Sequence, residues 1–156
     1  MRVMAIDYGT KSIGVAVCDE LQLASRPLTT IRRERMKPAE VTARIRALAE
    51  ENEAGALVVG LPLNMDGSHG KAAARVERLI ADLREQLAIP IVAVDERLTS
   101  YEADQLLREM GVSERERRQR SDEYAAMIIL QDYLDAQARR NNAPDSPDAP
   151  LQPALD

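Results

Sequence analysis

Two short apolar runs, residues 2–7 and 12–18, are separated only by Tyr8-Gly9-Thr10-Lys11. A glycine-containing connection of that length folds the chain back as a β-hairpin. A third strand is expected within 22–31. After it, the pattern changes. Pro38 stands where a first helical turn begins, and Val41, Ile45 and Leu48 recur at helical spacing up to Asn52. Ala56 to Gly60 is a compact apolar strand. A glycine-rich turn leads to a second helix, with Val76, Leu79, Ile80, Leu83 and Leu87 on one face. Pro90 opens another strand, Ile91 to Val94. Thr99 and Glu102 have capping-box spacing for a third helix that runs to Met110 and stops at Gly111. A final helix covers Asp122 to Arg139. The order β-β-β-α-β-α-β-α-α predicts an α/β fold: a mixed five-stranded sheet, hairpin plus parallel strands, with helices on both faces.

Composition narrows what such a sheet can do. The chain has four tyrosines but no phenylalanine or tryptophan, so its core must be aliphatic and it lacks stacking platforms for single-stranded bases. One cysteine, Cys18, and one histidine, His69, supply neither a disulfide nor a zinc site. Cys18 reads as a small buried strand residue in a reducing compartment. Asp7 interrupts the first apolar run too early for a signal peptide, and no apolar run approaches membrane-spanning length, so the expected location is cytoplasmic. The net charge of −5 is unevenly spread. Residues 141–156 hold four of the eight prolines, three aspartates and no basic residue, the composition of a disordered tail. Residues 1–140, the expected folded domain, are nearly neutral and rich in arginine.

Three carboxylates stand in unusual places. Asp7 ends an apolar strand on the face shared with Val3 and Ala5, by the two-residue period of a strand. Glu96 follows the strand Ile91 to Val94, at the carboxyl end where open α/β sheets bind ligands. Asp122 shares its helical stripe with Ala126, Ile129 and Tyr133, so it points inward at the first turn. Each acid alone has a plainer reading: Asp7 can begin a turn, Glu96 can pair with Arg97, and Asp122 can cap its helix. Ser121 is the better cap, which leaves the inward direction of Asp122 unexplained. Carboxylates gathered at one sheet end repel one another unless hard cations neutralise them. Mg²⁺ or Mn²⁺ follows, and two such ions about 4 Å apart would activate a water and stabilise the leaving oxygen in phosphodiester cleavage.

Four segments together resemble the YqgF family, the Holliday-junction-resolvase-like nucleases linked to maturation of the 5′ end of pre-16S ribosomal RNA. They are Asp7 to Ala16, Val59 to Gly67, Asp95-Glu96-Arg97-Leu98-Thr99, and Asp122 to Leu134. The resemblance covers about residues 1–137. It implies an RNase H-like fold and a metal-dependent nuclease in which Asp7, Glu96 and Asp122 match the acidic triad. The family often has arginine where Ser12 stands and a non-acidic residue where Glu123 stands.

Substrate contacts are expected from three groups. Gly60 and Gly67 flank a loop after a strand and before a helix, where backbone N–H groups can meet a phosphate, with Asn64 between them. The same glycines equally suit a tight βα turn. Arg115, Arg117, Arg118 and Arg120 form the densest positive charge in the chain and directly precede Asp122. Guanidinium groups suit bidentate phosphate contacts, although Glu114, Glu116 and Glu123 could instead pair with them. Lys11 and Arg97 adjoin the proposed ligands.

The expected partner is therefore nucleic acid, either pre-rRNA or branched DNA, and no membrane. Two enzymatic alternatives stand beside rRNA processing: junction resolution in DNA repair, and an actin-like ATPase suggested by Asp7-Tyr8-Gly9-Thr10. A chain of 156 residues provides one lobe where those ATPases need two. A non-catalytic RNA-binding assembly factor is the third class. Hairpin edges and short helices also allow a homodimer.

Overall fold

The computed structural model describes residues 1–96 and 105–142. The expected hairpin is present: β1 (Arg2–Tyr8) pairs antiparallel with β2 (Ser12–Cys18), with Asp7 opposite Gly14. Gly9 N–H donates to the Ser12 carbonyl at 2.9 Å and closes the turn. β2 pairs antiparallel with β3 (Ser25–Arg32), and β1 pairs parallel with β4 (Ala54–Leu61), which pairs parallel with β5 (Ile91–Asp95). The sheet order is β3-β2-β1-β4-β5, with β2 alone running against the other four. The carboxyl ends of β1, β3, β4 and β5 therefore share one edge, and loops leaving that edge can converge.

Helices α1 (Pro38–Glu51) and α2 (Lys71–Gln86) follow β3 and β4, as their apolar spacing predicts. Residues 105–109 are helical (α3), and the expected cap at Thr99 and Glu102 lies outside the described residues. A short helix that the apolar pattern does not announce, α4 (Glu114–Gln119), precedes α5 (Ser121–Asn142), which extends the expected final helix at both ends. The tail beyond residue 142 lies outside the described residues.

Strand alternation sends residues to two cores. Met4, Ile6, Ile13, Val15, Leu57 and Val59 meet α1 and α2 through Val41, Ile45, Val76 and Leu83. Val3, Ala5, Ala16, Ala56 and Val58 meet α5 through Met127, Ile129 and Leu130, joined by Leu107 of α3. Cys18 is buried in this second core, where its Sγ accepts a hydrogen bond from Val3 N–H at 3.1 Å. Among the described residues, no helix is long and apolar enough to cross a membrane.

Candidate active site

Small residues bring α5 against the sheet where the carboxylates lie. A β-carbon on Gly14 of β2 would stand 1.7 Å from the Asp122 carbonyl oxygen, so only glycine permits this approach. With the helix held there, Ser12 Oγ donates to Asp122 Oδ2 at 2.6 Å, across 110 positions of sequence. Next along the helix, Glu123 accepts from Thr30 of β3 at 3.2 Å and from Arg120 Nε at 2.6 Å. Further down α5, Ser25 Oγ donates to the Met127 carbonyl at 3.1 Å. The amino half of α5 is thus fixed against β2 and β3.

Asp7 lies on the same face of β1, and its side chain is hydrogen-bonded to that of Glu96. Glu96 N–H donates to the Leu61 carbonyl at 3.3 Å, which sets the residue just beyond the paired part of β4. Room for its side chain comes from Gly60, where a β-carbon would be 2.5 Å from Glu96 Oε2 and 2.6 Å from Ile129 Cδ1.

Burial dominates the electrostatics. Desolvation raises the Asp7 pKa, and the nearby charge of Asp122 raises it further, while the hydrogen bond from Glu96 opposes both. Glu96 is pushed up to about 8, by desolvation first and then by the charge of Asp7, the shared hydrogen bond and Asp95. The pair therefore retains a proton near neutrality, with Glu96 as donor and Asp7 as acceptor. Two oxygen-donor side chains that must share a proton to coexist suit a hard divalent cation, which would replace that proton. Asp122 adds its charge to Asp7, but its Oδ2 is engaged by Ser12. Among the described residues, no three carboxylate, histidine or cysteine side chains stand in metal-ligating geometry. The structure brings Asp7 and Glu96 into contact and leaves Asp122 beside them, tied to Ser12.

The residues expected to hold substrate are dispersed. Lys11 is exposed in the hairpin turn. Gly60 is inside β4, paired with Val94, and not in the loop that follows. That loop is closed on itself: Asn64 N–H donates to the Ser68 carbonyl, Gly67 N–H to the Asn64 carbonyl, and Ser68 N–H to Asp66. Gly67 has φ +87°, which its turn requires. His69 is paired with Glu77. Arg115, Arg117 and Arg118 belong to α4, and Arg120 follows it. Arg118 pairs with Glu114, and Arg120 with both Glu116 and Glu123, while Arg115 is exposed. Arg117 and Arg118 line an open cleft next to Ser121, immediately before Asp122. Arg97 lies outside the described residues.

A mixed sheet in this order, with acids at the carboxyl ends of β1 and β5 and at the start of the helix packed across it, is the RNase H-like arrangement of resolvases. The fold is similar to RuvC of Thermus thermophilus solved with a Holliday junction, with a TM-score of 0.56 and 18% identity over 88% of this chain and 96% of that one. It is also similar to the fowlpox virus resolvase solved with Holliday junction DNA, with a TM-score of 0.56 and 8% identity over 88% and 99%. Residues 1–136 match the RuvX family, described as Holliday junction resolvase and also called YqgF, and the chain belongs to it. A relative in Natranaerobius thermophilus is 44% identical over 91% of this chain and 99% of its own. Another in a Roseiflexus species is 45% identical over 87% and 95%. Both carry the provisional name pre-16S rRNA nuclease. This membership makes the protein a nuclease, a hydrolase of phosphodiester bonds.

Proposed function

We propose that Asp7, Glu96 and Asp122 are the catalytic, metal-binding carboxylates, and that the substrate is the 5′ end of pre-16S rRNA. The observation that carries this reading is the half-buried, hydrogen-bonded Asp7–Glu96 pair, in which desolvation and the neighbouring charge raise both carboxyl pKa values. Bound Mg²⁺ or Mn²⁺, as two ions, would supply charge stabilisation on the phosphoryl oxygens and a more acidic attacking water. The chain's own residues do the rest. Asp7 and Glu96 bind and orient from the sheet edge, Ser12 holds the Asp122 carboxylate, and the closely packed α5 keeps bulk water from the inner side of the pair. Arg117 and Arg118 of α4 approach the substrate backbone from the cleft beside Ser121, and Lys11 and Asn64 from the loops that follow β1 and β4. The nuclease domain is residues 1–140, and the buried Cys18, which forms no disulfide, suits the cytoplasm.

The ribosomal substrate follows from the names of the relatives at 44% and 45% identity. The family's own description favours branched DNA as a second reading. Incubating a pre-16S 5′-leader RNA and a four-way DNA junction side by side with Mn²⁺ separates the two. Cleavage of the leader that falls more than about 100-fold in Asp7→Asn supports the proposal, by comparison with the roughly 10–100-fold effects of disturbing groups that merely orient metal ligands. Junction cleavage alone would transfer the site to DNA, and equal cleavage by wild type and variant would remove the carboxylates from it.

A further inference from the structure

The sheet edge that carries Asp7 on one face carries Tyr8 on the other. There Tyr8 lines a pocket of about 200 Å³ with Arg33, Met36, Arg75 and Arg78. Arg33 is held in place: its guanidinium lies 4.1 Å from the centre of the Tyr8 ring, and its Nε donates to the Gly9 carbonyl at 2.7 Å. Arg75 and Arg78 stand three residues apart on α2 and so share a helical face. Neither makes an ion pair among the described residues, in contrast to Arg118 and Arg120 of the cluster before Asp122. The pocket has one carboxylate, Asp82, against three guanidinium groups.

From this geometry we propose a second phosphate site, in which Arg33, Arg75 and Arg78 hold a backbone phosphate of the strand being cut and Tyr8 meets its sugar. The proposal rests on the nuclease reading and gives that reading its second anchor. Three guanidinium groups without ion-paired carboxylates among the described residues match the bidentate geometry of phosphate oxygens, and the Arg33 guanidinium is held ready for it over the Tyr8 ring. A pocket of about 200 Å³ is smaller than the roughly 300–1,000 Å³ of a small-molecule site. It suits a phosphate and part of its sugar better than a complete free nucleotide. Position supplies the remaining argument. Asp7 and Tyr8 are adjacent residues, with Cα atoms about 3.8 Å apart. The pocket therefore sits at the same sheet edge as the carboxylates, on the opposite face, within reach of a strand that continues past that edge.

The test is binding of a fluorescent single-stranded oligoribonucleotide to the full chain in EDTA, so that cleavage plays no part. The variant is Arg75→Ala/Arg78→Ala, two exposed helical positions where alanine keeps helix propensity. The control, Arg139→Ala/Arg140→Ala, removes the same charge about 27 Å along α5 from its amino end. The expected result is at least about tenfold weaker binding in the first variant, with the log–log salt slope reduced by about 0.7 for one lost single-strand phosphate contact. The control should stay within about twofold of wild type. Equal losses in both variants, no loss in either, or no binding by the wild type would each overturn the pocket. Competition by AMP matching the oligonucleotide, nucleotide for nucleotide, would also overturn it, since the site would then take a free nucleotide. Cleavage assays keep the two readings apart: unchanged binding in the first variant with intact wild-type cleavage rejects the pocket alone, whereas absent cleavage with the predicted binding loss rejects the nuclease reading alone.

Discussion

On the face of the sheet covered by α1 and α2, the strands present Met4, Ile6, Ile13, Val15, Leu57 and Val59. On the face covered by α5, the corresponding positions include Ala5, Gly14, Ala16, Ala56 and Gly60. The first set fills a thick layer of interdigitated side chains and carries much of the buried apolar surface. The second also holds Val3 and Val58, but at its glycines little stands between helix and strand, so backbone approaches backbone at Gly14 and Glu96 fits over Gly60. Large residues stabilise; small ones let three acids gather at one edge. A thick core on both faces would hold the start of α5 farther from β1, with Asp122 out of reach of Ser12.

Mutations can break this contrast. Leu83, fully buried under the α1–α2 face, should cost about 3–5 kcal/mol when changed to alanine, through lost transfer energy and a residual cavity. Urea denaturation should register the loss, while the Mn²⁺ affinity of the folded fraction stays at the wild-type value. Gly14→Ala should cost about 3 kcal/mol, the upper end of overpacking, because the atom in the way is backbone. Here stability and cleavage should fall together. Stability that falls without any change in cleavage would separate the close approach from the site. Ser12→Ala should cost about 1 kcal/mol, one hydrogen bond to a part-buried carboxylate. Its stronger signature is kinetic, since Asp122 loses the side-chain hydrogen bond that holds its carboxylate; an unaltered metal-dependence curve would show that Ser12 does not position Asp122.

The sequence makes the hairpin, the strand and helix order and the inward direction of Asp122 legible, because each is written as a local period. The alternation of large and small residues between the two faces is equally local, in Met4-Ala5-Ile6 and Val15-Ala16-Val17, but which helix packs on the small face appears only in the structure. Other features depend on distance. The Ser12–Asp122 contact joins positions 110 apart, and no pattern at either end announces it. Gly60 reads as the start of a phosphate loop by spacing, whereas the strand extends through it and its missing side chain serves Glu96. The helix α4 has no buried residue and hence no apolar period. Its only sequence signal is Ser113 with Glu116 three positions on, and in the structure the Ser113 hydroxyl accepts from Glu116 N–H at 3.1 Å. That helix also turns the arginine cluster from a loop into a paired surface, with Tyr124 Oη donating to Glu116 at 2.9 Å.

Calorimetric titration of Mn²⁺ into the wild type, Asp7→Asn and Glu96→Gln tests most directly whether the thin face has assembled a cation site. Saturable binding by the wild type, with proton release as the Asp7–Glu96 pair gives up its shared proton and with affinity reduced at least about tenfold in each variant, is the predicted result. Equal affinity in all three proteins would contradict it.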